Sequence, residues 1–504
     1  MSRSDFDRSG LARSKGECGK CSIKKSIIKT MTAVWDLKLQ FEKYQGKDVF
    51  DCMVAEFLLT DGKTLPSEEE VLASYKATSL EQLAELQKKK FEELPELWEL
   101  FIKVEMPFVK VLWQMEQAGI ELDVKRLADL GIEIDEAIAV LDADIKREMG
   151  NDINLNSPIQ IGNYLAEKVG VPLAKTKTGR YATNETEIAK FAADFPIIQK
   201  LLNFRELSKL RSTYVESLIS KVGEDGRVHT TYSQVAVSTG RLASFNPNLQ
   251  NIPVTSDYGV KIKSCFVASK GKTLISFDYS QQELRVLAHL SGEDTLIKAF
   301  QEGRDVHKIT ASKLFGVAYE DVVKDQRVVA KTINFGIIYG MSSFGMSQGL
   351  TIPVDEAQKF IDAFYASYPK IKSYYDSFLS KGRVDGYVKT LLGRRRYVFE
   401  YPGQKFFDNS MKRVLMNYPI QGSAADLMRK AMVEIDREIL EKNSEIKLLL
   451  QIHDDLVFEV PIELAKDELI EKIKRIMCDV YPLLVPIEVG IKIGKSWGEM
   501  TPIV

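Results

Sequence analysis

Two adjacent carboxylates interrupt the otherwise apolar stretch Leu448-Leu-Leu-Gln-Ile-His-Asp-Asp-Leu-Val-Phe-Glu-Val460. Apolar runs on both sides of a short polar break are typical of two strands joined by a tight turn. The pattern therefore predicts a hairpin with Asp454 and Asp455 at its tip. A plain turn is the alternative, but two like charges beside apolar strands are costly unless a cation bridges them.

Another carboxylate follows an apolar run far away in the chain. Leu274-Ile-Ser-Phe-Asp278 predicts a buried strand that delivers Asp278 to its end, and a helical pattern begins soon after, at Gln281. If this strand and the hairpin meet, their carboxylates form a hard oxygen site suited to Mg²⁺. Two such ions, roughly 3.5–4 Å apart, can hold the attacking and leaving oxygens of a displacement reaction.

Between these segments, two cations and two aromatic residues recur every four positions: Arg327, Lys331, Phe335 and Tyr339. On a helix they form one slightly drifting stripe. The cations suit the phosphates of a nucleoside triphosphate, and the rings suit its sugar or base. The alternative is a helix whose Lys and Arg side chains face solvent and whose aromatic side chains pack in the core. Gly336 and Gly340 would each weaken the helix by roughly 1 kcal/mol, which favours a reason beyond packing, such as a close ligand or a bend.

The overall composition is that of an ordinary globular protein. The 504 residues include 69 Lys and Arg against 71 Asp and Glu, so charge neither indicates nor excludes a nucleic-acid partner. Five Cys without a dense pattern argue against a disulfide framework and favour a reducing compartment. No apolar run approaches the roughly 20 residues of a membrane helix, and no secretory signal is visible. We therefore expect a soluble, intracellular protein.

The composition and the apolar periodicity of the sequence change along the chain. Residues 1–30 are rich in Ser, Gly, Arg and Lys, which predicts a flexible tail whose Cys18 and Cys21 supply only half of a usual zinc site. Residues 31–100 predict a small α/β unit, and amphipathic helices then continue to about residue 222. Strands, a large helical insertion and further strands follow. An antiparallel sheet interrupted by a helical insertion is an α+β arrangement.

Three segments resemble the polymerase motifs of family A DNA polymerases, the bacterial DNA polymerase I group, in order and spacing: Asp278–Arg285, Arg327–Gly340 and Gln451–Asp455. Thr239–Ser244 and Pro247–Pro253 resemble the primer-template segment of that family. The resemblance begins at about residue 101 and continues to the C-terminus. It implies a right-hand polymerase domain over 101–504, with a thumb over about 121–225, an antiparallel palm sheet over about 226–286 and 406–504, and helical fingers over about 287–405.

The resemblance also implies roles for individual residues. Asp278, Tyr279 and Asp454 would hold two Mg²⁺ ions, with Mn²⁺ as an alternative, and Asp455 and Lys331 would assist catalysis. The residues that contact the incoming deoxynucleotide would be Arg327, Lys331, Phe335, Tyr339, His307, Glu283 and Gln281, and Glu283 would fill the space of a 2′-hydroxyl. Minor-groove acceptors shared by all base pairs would be contacted by Arg241, Gln250, Asn251, Asn417, Gln421 and His453. For each of these polar residues, a satisfied structural hydrogen bond is the alternative.

The expected partners are primer-template DNA and deoxynucleoside triphosphates. We expect a monomer without a membrane partner, located in the cytoplasm with the nucleoid, with an organelle as the alternative. Two other functions remain open. A single-subunit RNA polymerase has a related palm but is disfavoured by Glu283, and a protein that only binds primer-template junctions is disfavoured by carboxylates that would face phosphate.

The sequence departs from the family pattern in three places. Gln282 stands where Ile is usual, so typical fidelity is not implied, and Asp455 replaces a Glu. Residues 34–60 look like the middle of the family's 3′–5′ exonuclease, but Gln40 stands at a catalytic Asp position and the expected Asp-x-Glu strand is missing. We therefore interpret residues 31–100 as a vestigial exonuclease segment. We predict neither proofreading nor 5′ nuclease activity.

Overall fold

The computed structural model describes residues 31–60, 62, 66–150, 153–253, 256–398 and 409–503, with the backbone alone at residues 409 and 410. The tail predicted at 1–30, including Cys18 and Cys21, lies outside the described residues. Across the ranges that are described, each helix is too short or too polar to cross a membrane.

The N-terminal unit combines two short strands with helices. Strands β1 (Thr32–Val34) and β2 (Val49–Asp51) pair in parallel. The helices are α1 (Phe41–Tyr44), α2 (Cys52–Leu59), α3 (Glu68–Tyr75), α4 (Leu80–Glu92) and α5 (Pro95–Leu100), with a 3₁₀ turn at Lys38–Gln40. Their apolar faces share one core that includes Phe50, Leu83 and Phe101. The α/β pattern predicted for this segment is therefore present.

A helical region follows. It contains α6 (Met106–Ala118), α7 (Val124–Met149), α8 (Pro158–Asn163), α9 (Glu185–Ala189), α10 (Pro196–Lys209) and α11 (Ser217–Ile219), with π-helical segments at Phe101–Glu105, Tyr164–Val169 and Leu210–Glu216. The long helix α7 begins where Asp123 accepts a hydrogen bond from Arg126 N, at 2.9 Å, because a side-chain oxygen there satisfies a free amide of the first turn. The predicted run of amphipathic helices is confirmed.

Short strands then connect this region to the central sheet. Strand β3 (Ile120–Leu122) pairs with β4 (Arg227–Val228) and β7 (Phe266–Val267), and β5 (Thr231–Ser233) pairs with β6 (Ala243–Phe245). A 3₁₀ turn at Leu249–Asn251 and helix α12 (Asp257–Lys263) precede strand β8 (Lys272–Tyr279).

The predicted helical insertion is confirmed. It comprises α13 (Gln282–Ser291), α14 (Asp294–Gln301), α15 (Val306–Phe315), α16 (Lys324–Ile338), α17 (Ser343–Leu350), α18 (Val354–Ser367) and α19 (Pro369–Asp385). A small antiparallel hairpin of β9 (Tyr387–Lys389) and β10 (Arg395–Tyr397) follows it.

The central sheet gathers strands from both sides of this insertion. After α20 (Asn409–Ile435) and a π-helical segment at Asp436–Leu440 come β11 (Lys447–Ile452), β12 (Asp455–Pro461), α21 (Asp467–Cys478), β13 (Val489–Gly494) and β14 (Thr501–Ile503). The order is β11-β12-β8-β13-β14, with every pair antiparallel. This arrangement confirms the predicted α+β class. Strand β13 starts only at Val489, although the apolar alternation begins at Val485, since Pro486 has no N–H for a strand ladder.

Helix α16 corrects one prediction about its glycines. The helix ends at Ile338, and Gly340 follows it with φ +62°, so Gly340 terminates the helix and does not weaken its interior. A Cβ on Gly336 would lie 3.3 Å from Met341 Sδ and from Met346 Cε. Packing against these methionine side chains is therefore one reason for a glycine at position 336.

Candidate active site

The strand end and the hairpin meet as predicted. In the antiparallel pairing of β12 with β8, Asp455 lies opposite Asp278. Tyr279 N also donates to Asp454 O at 3.0 Å. The tip itself differs from the prediction: the turn consists of His453, with φ +55°, and Asp454. Asp455 is already the first residue of β12, because its pairing with Ile452 closes the hairpin.

Burial and mutual repulsion govern these carboxylates. Burial raises the pKa of Asp454 to about 6, with Glu283 and Asp278 adding to the effect. Burial, with Asp278 next, raises the pKa of Asp455 to about 7, and Lys263 and Lys492 oppose this rise. Asp455 Oδ1 is buried and has no hydrogen-bond partner among the described residues. A cation would relieve both the repulsion and the unpaired oxygen.

The carboxylates do not form a closed metal cage. No group of three His, Cys, Asp or Glu side chains able to hold a metal ion occurs within the described part of the chain. The phenol of Tyr279 is buried and donates to Met477 O at 3.0 Å, so its hydroxyl is already engaged by the backbone of α21. Such an open set fits Mg²⁺, which commonly takes one or two carboxylates and completes its shell with water and substrate phosphates.

Beside the hairpin, a pocket collects the residues of the predicted stripe. It is lined by Arg241, Gln281, Gln282, Glu283, His307, Arg327, Lys331, Phe335, Tyr339 and Asp454. All residues predicted to contact the nucleotide therefore share one cavity, and Asp454 joins it to the sheet edge. Asp278 lies outside this lining, on the neighbouring strand.

The cationic end of the pocket is held by neighbouring helices. Arg327 Nε donates to Asp305 Oδ2 at 2.6 Å, and Asp305 also accepts from Lys308 N at the start of α15. Lys331 is exposed and makes no hydrogen bond or ion pair with the residues described. His307 is buried, with its Nδ1 2.9 Å from Asn334 Nδ2. The ring of Phe335 lies 5.8 Å from that of His307 and is stacked on Tyr339 at 6.4 Å.

The other end of the pocket is built around a buried carboxylate. Glu283 accepts a hydrogen bond from Tyr339 Oη at 2.9 Å and forms an ion pair with Arg241. Burial, followed by the charge of Glu283, raises the pKa of Tyr339 to about 12. Gln282 is buried, and neither polar atom of its amide has a partner in the described structure. The carboxylate is therefore fixed, whereas the adjacent amide is available to a ligand.

The predicted DNA-binding residues are only partly brought together. Arg241 and His453 line a second cavity together with Gln451, and Gln250 Nε2 donates to Gln451 Oε1 at 3.2 Å. Asn251 is exposed on the preceding 3₁₀ turn. Asn417 and Gln421 lie on α20, and Asn417 Oδ1 is buried without a partner among the described residues.

Several supporting residues were not anticipated from the sequence. They are Asp305, which pairs with Arg327; Asn334, which contacts His307; Gln451, which links Gln250 to the hairpin; and Lys263 and Lys492, which lower the pKa of Asp455. The only available signal was a polar residue inside an apolar pattern, as at Gln451 in β11 and Asn334 in α16. The pairing partners depend on tertiary contacts.

Comparisons with known proteins agree with this geometry. The model of the family described as DNA polymerase family A matches residues 124–499. The thermostable DNA polymerase I of Thermus aquaticus is 46% identical over 405 residues, which are 80% of this chain and 48% of that protein. DNA polymerase I of Chloroflexus aurantiacus is 42% identical over 84% of this chain and 45% of its own length. The chain thus spans about half the length of these curated relatives.

A solved structure confirms the right-hand fold. The POL domain of Pol1 from M. smegmatis, in complex with DNA primer-template and dNTP, superposes with a TM-score of 0.87 at 33% identity. The match covers 93% of this chain and 86% of that one. On the family model, the relatives and the shared fold, this chain belongs to DNA polymerase family A.

Proposed function

We propose that the chain is a template-directed DNA polymerase that adds deoxynucleotides to a primer 3′-hydroxyl with two Mg²⁺ ions. The observation that carries this proposal is one cavity that is lined by Arg327, Lys331 and His307 and also by the carboxylates of Glu283 and Asp454. Cations at one end suit a triphosphate, and a carboxylate edge at the other suits metal-assisted attack.

The cations of α16 would bind the triphosphate and offset the charge that grows on the leaving pyrophosphate. Arg327 is preorganised by Asp305, whereas Lys331 is unpaired among the described residues and free to reach the phosphates. Phe335 would support the sugar, and Tyr339 would lie near the templating base. Each of these groups holds or orients the substrate without changing its own bonding.

The carboxylates of Asp278 and Asp454 would hold the ions, with the backbone of Tyr279 beside them and Asp455 in support. The unpaired Asp455 Oδ1 and the raised pKa values of Asp454 and Asp455 fit a site that binds a divalent cation. When bound, such ions supply Lewis-acid stabilisation of the attacking and leaving oxygens, and Mn²⁺ is an alternative.

Within the family architecture, we propose a thumb over residues 121–225, fingers over 287–405 and a palm over 226–286 and 406–504. Primer-template DNA would cross the palm beside Arg241, Gln250 and His453, with Asn251, Asn417 and Gln421 as further minor-groove contacts. We propose a monomer that works on chromosomal DNA in the cytoplasm.

Primer extension tests the proposal directly. Purified full chain, a labelled primer on a longer template, Mg²⁺ and one deoxynucleotide at a time should yield extension only when the nucleotide complements the template. A chain that binds the DNA but extends no primer would exclude polymerase activity. Parallel reactions with ribonucleotides separate the DNA polymerase from the RNA polymerase alternative.

Replacing Glu283 with Ala should relax sugar selection. The buried carboxylate is fixed by Tyr339 and Arg241, so its removal opens space for a 2′-hydroxyl. We expect discrimination against ribonucleotides, measured as the ratio of kcat/KM values, to fall on the order of 10²-fold, the usual selectivity of a pocket against one hydroxyl. The matched control is Glu302→Ala, an exposed residue. Unchanged discrimination in Glu283→Ala would remove Glu283 from sugar selection.

We also propose that the N-terminal segment does not proofread. Asp51 is engaged by the backbone, since it accepts hydrogen bonds from Leu37 N at 2.7 Å and from Met53 N at 2.9 Å. Gln40, at the catalytic Asp position implied by the family, donates to Trp35 O at 3.0 Å. These contacts fit a structural turn, and the amide of Gln40 supplies no carboxylate at that position.

A duplex whose primer carries a 5′ label and a mismatched 3′ terminus should therefore remain full length during incubation with the chain and Mg²⁺ without nucleotides. Electrophoresis of the labelled strand provides the measurement, and a proofreading polymerase on the same duplex is the positive control. Shortening of the labelled strand by an activity that co-purifies with the chain would contradict the proposal.

A further inference from the structure

We propose that Asn334 is a positioning residue that holds the buried His307 in its Nε2–H tautomer, so that this imidazole donates a hydrogen bond to the phosphates of the incoming nucleotide. The inference rests on the proposed function. It assigns a role to a residue that does not line the pocket itself but contacts His307, which does.

The contact joins two helices of the insertion. Asn334 on α16 and His307 on α15 are both buried, with 1% and 3% of their surfaces exposed, and Asn334 Nδ2 lies 2.9 Å from His307 Nδ1. A neutral imidazole carries one donor and one acceptor nitrogen. If the amide N–H₂ donates to Nδ1, the ring proton must reside on Nε2.

The second ring nitrogen is the one available to a ligand. His307 lines the pocket with Arg327 and Lys331, and its Nε2 has no hydrogen-bond partner among the residues that the structure describes. An Nε2–H group pointing to phosphate would add a donor to the two cations. In the opposite tautomer, the Nε2 lone pair would face phosphate oxygens and repel them.

The surroundings favour a neutral ring. Burial lowers the pKa of His307 to about 4; Arg327 and Lys331 also lower it, whereas Asp305 opposes them. Asp305 lies immediately before α15, and Arg327 and Lys331 lie on α16. An uncharged amide partner preserves this state, whereas a carboxylate in its place would stabilise the imidazolium.

The tautomer can be measured without any enzymatic reaction. The chain has four His, so a ¹⁵N-histidine spectrum of the full chain is simple, and His307→Gln identifies the resonances of His307. We expect a protonated Nε2 and an unprotonated Nδ1 between pH 6 and 8, since both values lie above the pKa of about 4. A protonated Nδ1 would overturn the proposal, whatever the activity of the chain.

Kinetics supply the second readout. Asn334→Leu removes the amide at similar volume, and we expect KM for deoxynucleotide to rise roughly 10-fold to 100-fold, the usual worth of a hydrogen bond to a charged group, with a smaller change in kcat. His307→Gln should raise KM similarly, and the double variant should be no worse than His307→Gln alone. Fully additive effects would contradict action through His307.

Two further variants separate positioning from general damage. Asn334→Asp should make KM for deoxynucleotide depend on pH between 6 and 8, because a carboxylate raises the pKa of the adjacent imidazole. Asn443→Leu, in the loop before β11, is the matched control and should leave KM unchanged. An unmodified chain that incorporates no nucleotide would refute the proposed function, whereas the tautomer measurement would still decide the role of Asn334.

Discussion

Replacing Asp278 with Asn is expected to slow nucleotide incorporation by about 10³-fold or more, equivalent to about 4 kcal/mol of lost transition-state stabilisation. The neutral amide keeps the size of the side chain but cannot bridge divalent cations at the edge shared with Asp455. Single-turnover incorporation with Mg²⁺ measures the rate, and Asp454→Asn should behave alike. The exposed Asp355→Asn is the matched control and should keep the unmodified rate.

In contrast to the incorporation rate, neither the DNA affinity nor the thermal stability of the Asp278→Asn variant should fall. Affinity for primer-template DNA, measured by fluorescence anisotropy without metal, should stay the same or increase, because one negative charge near phosphate is removed. The raised pKa of Asp455, about 7, means that its charged form destabilises the metal-free fold as pH rises through that value. Asp278→Asn should therefore raise the metal-free melting temperature more at pH 8 than at pH 5. Unchanged incorporation would refute the catalytic assignment.

The parts of the site that could be predicted are those whose functional residues form a recognisable pattern among neighbours in the sequence. The hairpin at Asp454 and the stripe from Arg327 to Tyr339 combine charge with a strand or helix period, so their place on the fold followed from neighbours in sequence. The metal-site hypothesis depended on the strand of Asp278 meeting the hairpin, and the pairing of Asp278 with Asp455 across β8 and β12 brings the two together. Adjacent carboxylates repel each other, so this arrangement suits a bridging cation.

What escaped prediction depends on contacts between distant segments. Asp305 lies 22 positions before Arg327, and no local period connects them. The end of α16 at Ile338 was missed because Gly340 and the packing of Gly336 on Met341 depend on the turn that follows. Only tertiary packing reveals which polar residues are structural and which face a ligand.

A further unpredicted feature is a buried ionic cluster that joins the π-helical segment Phe101–Glu105 to helix α20 and to the turn between β9 and β10. Glu105, Arg394, Asp426 and Arg429 are nearly inaccessible to solvent. Arg394 Nε donates to Asp426 Oδ1 at 2.8 Å, and its Nη2 pairs with Glu105; Arg429 Nη1 donates to Glu105 Oε1 at 2.7 Å. Burying such charges is favourable only while each has a partner.

The cluster also supports the pocket. A Cβ on Gly240 would lie 2.8 Å from Arg394 Nε, so the guanidinium packs directly against the turn that carries Arg241. That turn has φ +82° at Gly240, a conformation that glycine adopts without strain. Loss of Arg394 should therefore disturb both the fold and the ion pair of Arg241 with Glu283.

Arg394→Met should lower the free energy of unfolding by roughly 3–5 kcal/mol, since Asp426 would lose its paired cation and keep only the hydroxyl of Thr390, while Glu105 would keep Arg429. For a unit of 150–250 residues this corresponds to a melting temperature about 10 °C lower, measurable by calorimetry. The control is Arg437→Met, which breaks a solvent-exposed pair with Glu434 and should cost at most about 1 kcal/mol. Equal melting temperatures for the two variants would mean that the buried cluster contributes no more than a surface ion pair, because removal of either arginine deletes one side chain and one positive charge.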